Sequence, residues 1–251
     1  MEDRRAMPNG SGSINQVRRP LVVVISANAE WAPITEVLKP LHLEPSPYGD
    51  SFTYPVADEQ VVLFHGGWGK IAAAASTEYA ISRWHPEVLV NLGTCGGIEG
   101  RVQRGEKLLV TRTVTYDIRE AMGDSAEAIR AYTTDIDLTW LDGSFPIQAR
   151  RVPLVSGDRD LVPSDIPGLI RQFDAVAGDW ESSAIAYVAS RRNTRLLIVR
   201  VVSDLVTTQG GDAIGNLTLF QNEAVRIMRS FLDDLATLVP YIRTRCEGTA
   251  R

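Results

Sequence analysis

The stretch from residue 175 to residue 205 constrains the fold of this chain more than any other. It contains a short apolar run ending in Asp179-Trp180-Glu181, the small-residue segment SSAIAYVASRR, and the apolar run LLIVRVV ending in Ser203-Asp204. Runs rich in Val, Ile and Leu are typical of strands buried on both faces, and the middle segment favours a helix of about three turns. We therefore expect a strand, a helix and a parallel strand, with the carboxylates Glu181 and Asp204 at the ligand-binding end of the sheet.

A third carboxylate follows the first predicted strand, residues 21–26. Glu30 stands just before the segment WAPITEVLKPL, which predicts a helix starting near Pro33, a position that proline favours. Glu30 would then lie at a strand C-terminus and a helix N-terminus, where the helix dipole favours an ionised carboxylate by roughly 0.3–1 kcal/mol. A simple dipole partner and a functional group both fit this position.

Two glycine clusters follow predicted strands. Residues 66–70 (GGWGK) come after a predicted hairpin of residues 51–56 and 60–65 and open a helix, and residues 93–97 (GTCGG) follow the buried strand 87–92. The first cluster matches neither the P-loop nor the GxGxxG pattern. Turns that need positive φ explain each cluster separately, but two clusters at one sheet edge suggest a ligand against the backbone.

The remaining predicted elements are two strands and three helices, over residues 107–116, 152–158, 125–132, 166–173 and 217–239. Asn216 is expected to cap the last helix, whose apolar face begins at Phe220 and keeps i, i+3/i+4 spacing. A turn is expected at Asp142-Gly143. The polar, irregular segment 117–150 is a candidate for a lid or a subunit contact.

Composition excludes several classes of function. A net charge of −5, with 44% hydrophobic and 23% charged residues, gives no reason to expect nucleic acid or an anionic membrane as a partner. No apolar stretch approaches the roughly 20 residues needed to span a bilayer. With three histidines and no CxxC or HxxxH spacing, neither a metal site nor another cofactor is predicted.

The N-terminal segment, residues 1–19, lacks the apolar core of a signal peptide. We expect a disordered tail there, followed by a single domain over residues 20–245. Cys95 and Cys246 lie far apart in a chain with no secretory signal, so reduced thiols and a cytoplasmic location are predicted.

Five short motifs occur in a characteristic order: the glycine cluster 66–70, NLGTCGG at 91–97, SGD at 156–158, the DWES segment and RVVSD at 200–204. Together they resemble the purine and uridine phosphorylase superfamily, and within it the methylthioadenosine/S-adenosylhomocysteine nucleosidase branch. The likeness covers about residues 20–243. It implies a single α/β domain, a three-layer α/β/α sandwich around a twisted mixed sheet, and a homodimer or larger assembly with the active site near a subunit contact.

The resemblance also implies a role for each motif residue. Asp204 matches the acid that protonates or hydrogen-bonds N7 of a purine, and Ser203 is its neighbour in the SD motif. Glu181 matches the glutamate that binds the ribose hydroxyls, with Trp180 against the sugar. Glu30, in the pattern A-E-x-x-P, resembles the glutamate that activates water. The other matches are Gly93 and Thr94 of the glycine loop, Thr94 beside the water or ribose, and Arg200, which supports the carboxylates.

These roles suit the cleavage of an N-glycosidic bond, which develops positive charge on the sugar and negative charge on the base. Asp204 needs a raised pKa to donate a proton, whereas Glu30 must be ionised to accept one. Arg200, Val202 and Asp204 alternate along the predicted strand and are therefore expected to face one side. A buried arginine there needs a carboxylate partner, so Arg200 could equally serve a structural salt bridge.

Hydrolysis is favoured over phosphorolysis because the residues expected to hold phosphate differ. Phosphorylases of this superfamily commonly carry an arginine where this chain has Asn91, and their early phosphate loop is replaced by ISANAEW with Glu30. A carboxylate at that position repels phosphate but can activate water. Arg101, Arg104 or an arginine from a partner subunit would weaken this inference.

The substrate stays open at this point, because no aromatic residue follows SGD where nucleosidases often stack one on adenine. A 5′-modified adenosine such as methylthioadenosine or S-adenosylhomocysteine comes first, and futalosine-type nucleosides are alternatives. A phosphorolytic enzyme and a non-catalytic nucleoside-binding protein of the same fold are further alternatives. A dinucleotide-dependent oxidoreductase lacks its glycine fingerprint.

Overall fold

A computed structural model describes residues 18–141, 143–213 and 215–248. The predicted tail therefore lies outside the described residues except for Arg18 and Arg19. Arg18 forms ion pairs with Glu59 and Glu247 at 3.1 and 2.7 Å. The turn expected at Asp142-Gly143 is likewise only half described.

The described residues form ten strands and six helices. The strands are β1 (Leu21–Ile25), β2 (Glu44–Pro45), β3 (Asp50–Val56), β4 (Glu59–His65), β5 (Val88–Ile98), β6 (Lys107–Thr115), β7 (Thr134–Asp135), β8 (Arg150–Ser156), β9 (Ala177–Asp179) and β10 (Arg195–Val206). The helices are α1 (Asn28–Leu38), α2 (Gly69–Trp84), α3 (Ser125–Ala131), α4 (Ile166–Phe173), α5 (Ser182–Arg191) and α6 (Leu217–Gly248).

All ten strands belong to one mixed sheet, in the order β10-β6-β8-β9-β5-β1-β4-β3-β2, with β7 paired to β6. Because β10 also pairs with β5, the strands β10, β6, β8, β9 and β5 close into a ring. The strands β1, β4, β3 and β2 extend from that ring as an open sheet. The ring and the open sheet meet where β5 pairs with β1, and the C-terminal ends of these two strands point the same way.

Helices cover both faces of the sheet. Alternate residues of β1 divide between two cores: Val23 packs with Ile34 of α1 and Phe231 of α6, whereas Val24 packs with Ala73 of α2. This alternation follows from the two-residue period of a strand buried on both faces. The predicted α/β class, with helices on either side of a mixed sheet, is confirmed. Within the described residues, no helix combines the length and apolarity needed to cross a membrane.

The strand at 87–92 is longer than predicted. β5 continues through Ile98, so the glycine cluster 93–97 is part of the strand and not a loop after it. Pairing with β10 along its whole length supplies the backbone partners. Close packing explains the glycines, because a Cβ at Gly97 would lie 2.6 Å from side-chain carbons of Val102 and Val202.

The predicted parallel relation of the two strands in 175–205 is wrong. The three-residue strand β9 runs antiparallel to β5 at Gly96 and Gly178, whereas β10 runs parallel to β5. The chain between β9 and β10 still forms the predicted helix α5. A helix between two strands normally joins parallel neighbours in one sheet. Here β9 pairs with β8 and β5 and not with β10, so that expectation does not apply.

Two helices differ in length from the prediction. Helix α1 begins at Asn28, five positions before Pro33, so Glu30 lies in its first turn and not ahead of it. Helix α6 begins as predicted, with Asn216 Oδ1 accepting from the Leu219 N–H at 3.1 Å, but runs past Pro240 to Gly248. Its extension is held by Arg243, which pairs with Glu87 at 2.5 Å.

Close packing at Gly97 predicts a loss of stability when a methyl group is added. We expect Gly97→Ala to lower the free energy of unfolding by about 1–3 kcal/mol, since the added Cβ overlaps two valine side chains. Gly168→Ala in α4 is the matched control, because its Cβ would meet nothing within 4 Å. Urea unfolding of both variants measures the difference, and equal stabilities would contradict this packing.

Candidate active site

A cavity of about 650 Å³ opens where the turn into α1, the strand β5, the β9–α5 junction, the end of β10 and the start of α6 meet. Most of its ionisable lining residues are acidic. The charged lining residues are Glu30, Arg159, Asp160, Asp179, Glu181 and Asp204. Five carboxylates facing a single guanidinium favour a ligand that is neutral or develops positive charge.

A second cavity, of about 530 Å³, lies near the N-terminal ends of β5 and β10 and is lined by Arg19, His85, Glu87 and Arg195 among others. None of the residues predicted to act on a ligand lines it. The carboxylate-lined cavity is therefore the candidate active site.

Glu30 is held at the base of the site by groups from α1 and β5. Its Oε1 accepts hydrogen bonds from the Thr94 N–H at 2.6 Å and the Thr94 hydroxyl at 2.8 Å, and its Oε2 accepts from the Ala27 N–H at 3.3 Å. Burial raises the pKa of Glu30, while the charge of Arg200 and these hydrogen bonds lower it. Desolvation thus outweighs the stabilisation expected from the helix N-terminus.

Gly93 lies directly beneath the Glu30 carboxylate. A Cβ at Gly93 would be 2.9 and 3.0 Å from the two Glu30 carboxylate oxygens and 3.1 Å from Arg200 Nη1. Glycine is required here because two charged groups approach the backbone closely. Gly93 and Arg200 therefore lie behind the cavity lining and not in it.

Arg200 is buried and paired with Asp179. Its Nε donates to Asp179 Oδ2 at 2.8 Å, and its Nη2 donates to Asn91 Oδ1 at 2.5 Å. Asn91 is completely buried, and its Nδ2 donates to the Val24 carbonyl oxygen at 2.9 Å. Asn91, at the position where the resemblance implies an arginine in phosphorylases, is therefore hydrogen-bonded to Arg200.

Glu181 lies at the start of α5, with its carboxylate directed to the turn before α2. Its Oε1 accepts from the Gly69 N–H at 3.0 Å. Burial, followed by the negative charges of Asp179 and Glu30, raises the pKa of Glu181 to about 8. The free protein therefore holds Glu181 largely protonated at neutral pH.

Asp204 reaches the cavity from the far end of β10. The register between β10 and β5 shifts between Val202 and Asp204, which makes Ser203 the extra residue of a β-bulge. The predicted alternation of Arg200, Val202 and Asp204 therefore does not hold across this bulge. Ser203 Oγ donates to Asp204 Oδ1 at 2.6 Å, and burial raises the pKa of Asp204 against that hydrogen bond.

Aromatic side chains form another part of the cavity wall. Trp180 stacks on Trp68, with ring centroids 5.2 Å apart and an interplanar angle of 30°. Phe220, from the first turn of α6, also lines the cavity. No aromatic residue follows SGD, but Phe220 places an aromatic side chain from α6 in the cavity wall.

The turn that carries Trp68 is fixed by two aspartates from neighbouring strand ends. The Lys70 N–H donates to Asp158 Oδ1 at 2.7 Å, and the Lys70 ammonium donates to Asp117. Asp117 also accepts from the Asp158 N–H at 2.9 Å. This network holds Gly69 where its N–H reaches Glu181.

The structure places most of the predicted site residues in the cavity. Those in the lining are Glu30, Thr94, Trp180, Glu181, Ser203 and Asp204. Sequence reasoning did not predict that Asp179, Trp68 and Phe220 line the cavity. Asp179 had a signal, because the buried Arg200 required a carboxylate and the DWES segment contains one; Trp68 and Phe220 had none. No group of three or more potential metal ligands occurs among residues 18–141, 143–213 and 215–248.

A family model for the phosphorylase superfamily matches residues 21–237, and the chain belongs to this superfamily. The 5′-methylthioadenosine/S-adenosylhomocysteine nucleosidase of Maridesulfovibrio salexigens is 27% identical over 191 residues, covering 70% of this chain and 82% of the relative.

Two solved structures from Helicobacter pylori share the fold. The 5′-methylthioadenosine/S-adenosylhomocysteine nucleosidase with butyl-thio-DADMe-Immucillin-A has a TM-score of 0.72 at 14% identity, covering 88% of this chain and 98% of that chain. The native futalosine hydrolase has a TM-score of 0.70 at 15% identity, covering 86% and 97%.

The raised pKa of Glu181 predicts a pH-dependent stability. The folded protein holds this proton up to about pH 8, whereas the unfolded chain releases it near pH 4.5, so stability falls as pH rises between these values. Glu181→Gln is neutral throughout. The free energy of unfolding of the wild type should therefore fall relative to the variant by up to about 1.4 kcal/mol per pH unit. A pH-independent difference in chemical denaturation would contradict the assignment.

Proposed function

We propose that this protein hydrolyses the N-glycosidic bond of a purine nucleoside, releasing the free base and the sugar. The preferred substrate is a 5′-modified adenosine of the methylthioadenosine or S-adenosylhomocysteine type. The observation that carries the proposal is the cavity lining, in which carboxylates outnumber the single Arg159 five to one. Such a lining disfavours a phosphate dianion and stabilises a sugar that becomes positively charged.

The proposed roles follow from the position of each carboxyl group. Asp204, whose pKa is raised by burial, gives its proton to N7 of the purine as the C1′–N9 bond breaks and its electron pair moves to the base. Glu181 binds the ribose hydroxyls, with Trp180 against the sugar. A water molecule attacks C1′ and loses a proton to Glu30, which Thr94 orients.

The environment of Glu30 suits a base. Burial makes the carboxylate more basic, while Arg200 and the Thr94 hydrogen bonds keep its ionised form accessible. Ser203 orients Asp204, and Gly93 leaves room for the Glu30 carboxylate. These features support the assignment of Glu30 and Asp204 as catalytic residues and of the others as substrate-binding or supporting residues.

The assembly and location of the protein are also proposed. Three apolar side chains near the cavity are strongly exposed: Trp68 at 64%, Ile71 at 86% and Leu217 at 66%. A homodimer that covers this surface would complete the active site, and sedimentation analysis tests it. A cytoplasmic location is supported by Cys95 and Cys246, which are not joined in a disulfide. We propose that the catalytic domain spans residues 20–245.

The substrate is tested with a panel of purine nucleosides that includes methylthioadenosine, S-adenosylhomocysteine, futalosine and adenosine. We expect the highest kcat/KM with a 5′-modified adenosine. A preference for futalosine would move the assignment to the alternative that the second structural relative represents. No release of base from any nucleoside would favour a non-catalytic nucleoside-binding protein and contradict the proposal.

Removal of the proposed general acid should abolish most of the activity. Asp204→Asn keeps the shape of the side chain but cannot protonate the leaving base, so we expect kcat to fall about 10²-fold or more. The control Asp135→Asn changes an exposed aspartate paired with Arg112 and should retain wild-type kcat. An Asp204→Asn variant that is folded and nearly as active as the wild type would contradict the assignment.

A further inference from the structure

The guanidinium group of Arg200 is fixed on two of its three nitrogens. Nε is bound to Asp179 at 2.8 Å and Nη2 to Asn91 at 2.5 Å. The third nitrogen, Nη1, is buried and has no hydrogen-bond partner among the residues that the structure describes. A buried donor without a partner is costly, so its orientation needs an explanation.

Nη1 and the carboxylate of Glu30 both lie next to Gly93. A Cβ on Gly93 would approach both groups, at 3.1 Å from Nη1 and 2.9 Å from Glu30 Oε1. Arg200 is accordingly the largest influence that lowers the pKa of Glu30. The orientation of Nη1 therefore affects the pKa of Glu30, the proposed base.

The two residues that fix Arg200 are themselves anchored. Asp179 accepts from the Ser156 hydroxyl at 2.6 Å and from the Ser182 N–H at 3.2 Å. Asn91 donates to the Val24 carbonyl oxygen at 2.9 Å. Asp179 and Asn91 are therefore held by different strands and helices. The guanidinium cannot rotate without breaking its hydrogen bonds to both of them.

We propose that Asp179 and Asn91 are positioning residues that act through Arg200, directing its Nη1 towards Glu30 and limiting how much positive charge Glu30 experiences. The inference rests on the proposed function, in which Glu30 accepts a proton from water. Stability alone does not explain the buried pair of Arg200 and Asp179, because proteins in which apolar residues replace such a pair are often equally stable.

The charged groups around Glu30 define the expected effect of changing Asp179. Arg200 of β10 acts on Glu30, and Glu30 acts on Glu181 at the start of α5. Asp179 of β9 acts on Arg200 and on Glu181, and burial raises the pKa of the Cys95 thiol of β5. Asp179→Asn removes a negative charge that offsets Arg200. The positive charge then favours ionisation of Glu30 and Glu181 at lower pH.

The first test is the pH dependence of kcat/KM for Asp179→Asn. We expect the acid limb to move to lower pH and kcat to fall about tenfold or more, with a smaller change in KM, because the base is weaker and less well placed. Asp234→Asn is the matched control: it removes a half-buried carboxylate that pairs with Lys107 at 2.6 Å away from the cavity, and should leave the limb in place. An unshifted limb, or a shift to higher pH, would overturn the role of Asp179.

Asn91 allows a test without a change of charge. Asn91→Leu removes the hydrogen bond to Nη2 but no charged group. Because Nη1 is then less well directed towards Glu30, kcat per folded protein should fall and the acid limb should move to higher pH, opposite to its movement in Asp179→Asn. An unchanged kcat would overturn the role of Asn91. A folded fraction that falls with no change in kcat per folded protein would assign both residues to stability alone.

A measurement on the resting protein separates this inference from the proposed function. Infrared titration of the carboxyl groups, assigned with Glu30→Gln and Glu181→Gln, should show both groups ionising at lower pH in Asp179→Asn. The shift of Glu30 should vanish in the Arg200→Met background, where removal of both charged partners also avoids leaving one unpaired. Part of the Glu181 shift should remain there, because Asp179 acts on Glu181 directly. If the wild type cleaves no nucleoside but the Glu30 shift is found, the proposed function fails and the positioning role stands. If the Glu30 shift persists without Arg200, Asp179 does not act through it.

Discussion

The pairing of β5 with β10 is the constraint on which the rest of this structure depends. It runs from Arg195 and Val88 to Val206 and Ile98, closes the ring of strands and brings residues of two distant segments onto one surface. Thr94, which binds Glu30, lies on β5, and Asp204 lies on β10. Glycine on β5 makes this approach possible, because a side chain at Gly93 or Gly97 would collide with the opposing groups.

Carboxyl groups gathered around one cavity then determine the chemistry. Burial raises the pKa values of Glu30, Glu181 and Asp204, and shifted carboxyl pKa values of this kind are typical of acid–base sites. Arg200 is the buried counter-charge, and Asp179 offsets part of it. A cleavage that separates a cationic sugar from an anionic base uses these groups on both sides of the bond.

Much of this arrangement could be predicted from the sequence, since apolar runs and motif order located the strands and the three carboxylates. The direction of β9 could not be predicted, because a strand of three residues is too short for its sequence pattern to indicate which strands it pairs with. The bulge at Ser203 depends on the register of two strands distant in sequence. Phe220 was assigned to the helix core by its spacing, but it lies one turn beyond that core and lines the cavity.

The identity of the sugar product tests the central claim most directly. Purified protein is incubated with methylthioadenosine and millimolar inorganic phosphate, and the reaction is followed by ³¹P NMR together with release of the free base. Because the cavity lining repels phosphate, we predict that base is released at the same rate with and without phosphate, and that no sugar 1-phosphate forms. A sugar 1-phosphate signal that grows with the released base would contradict the account.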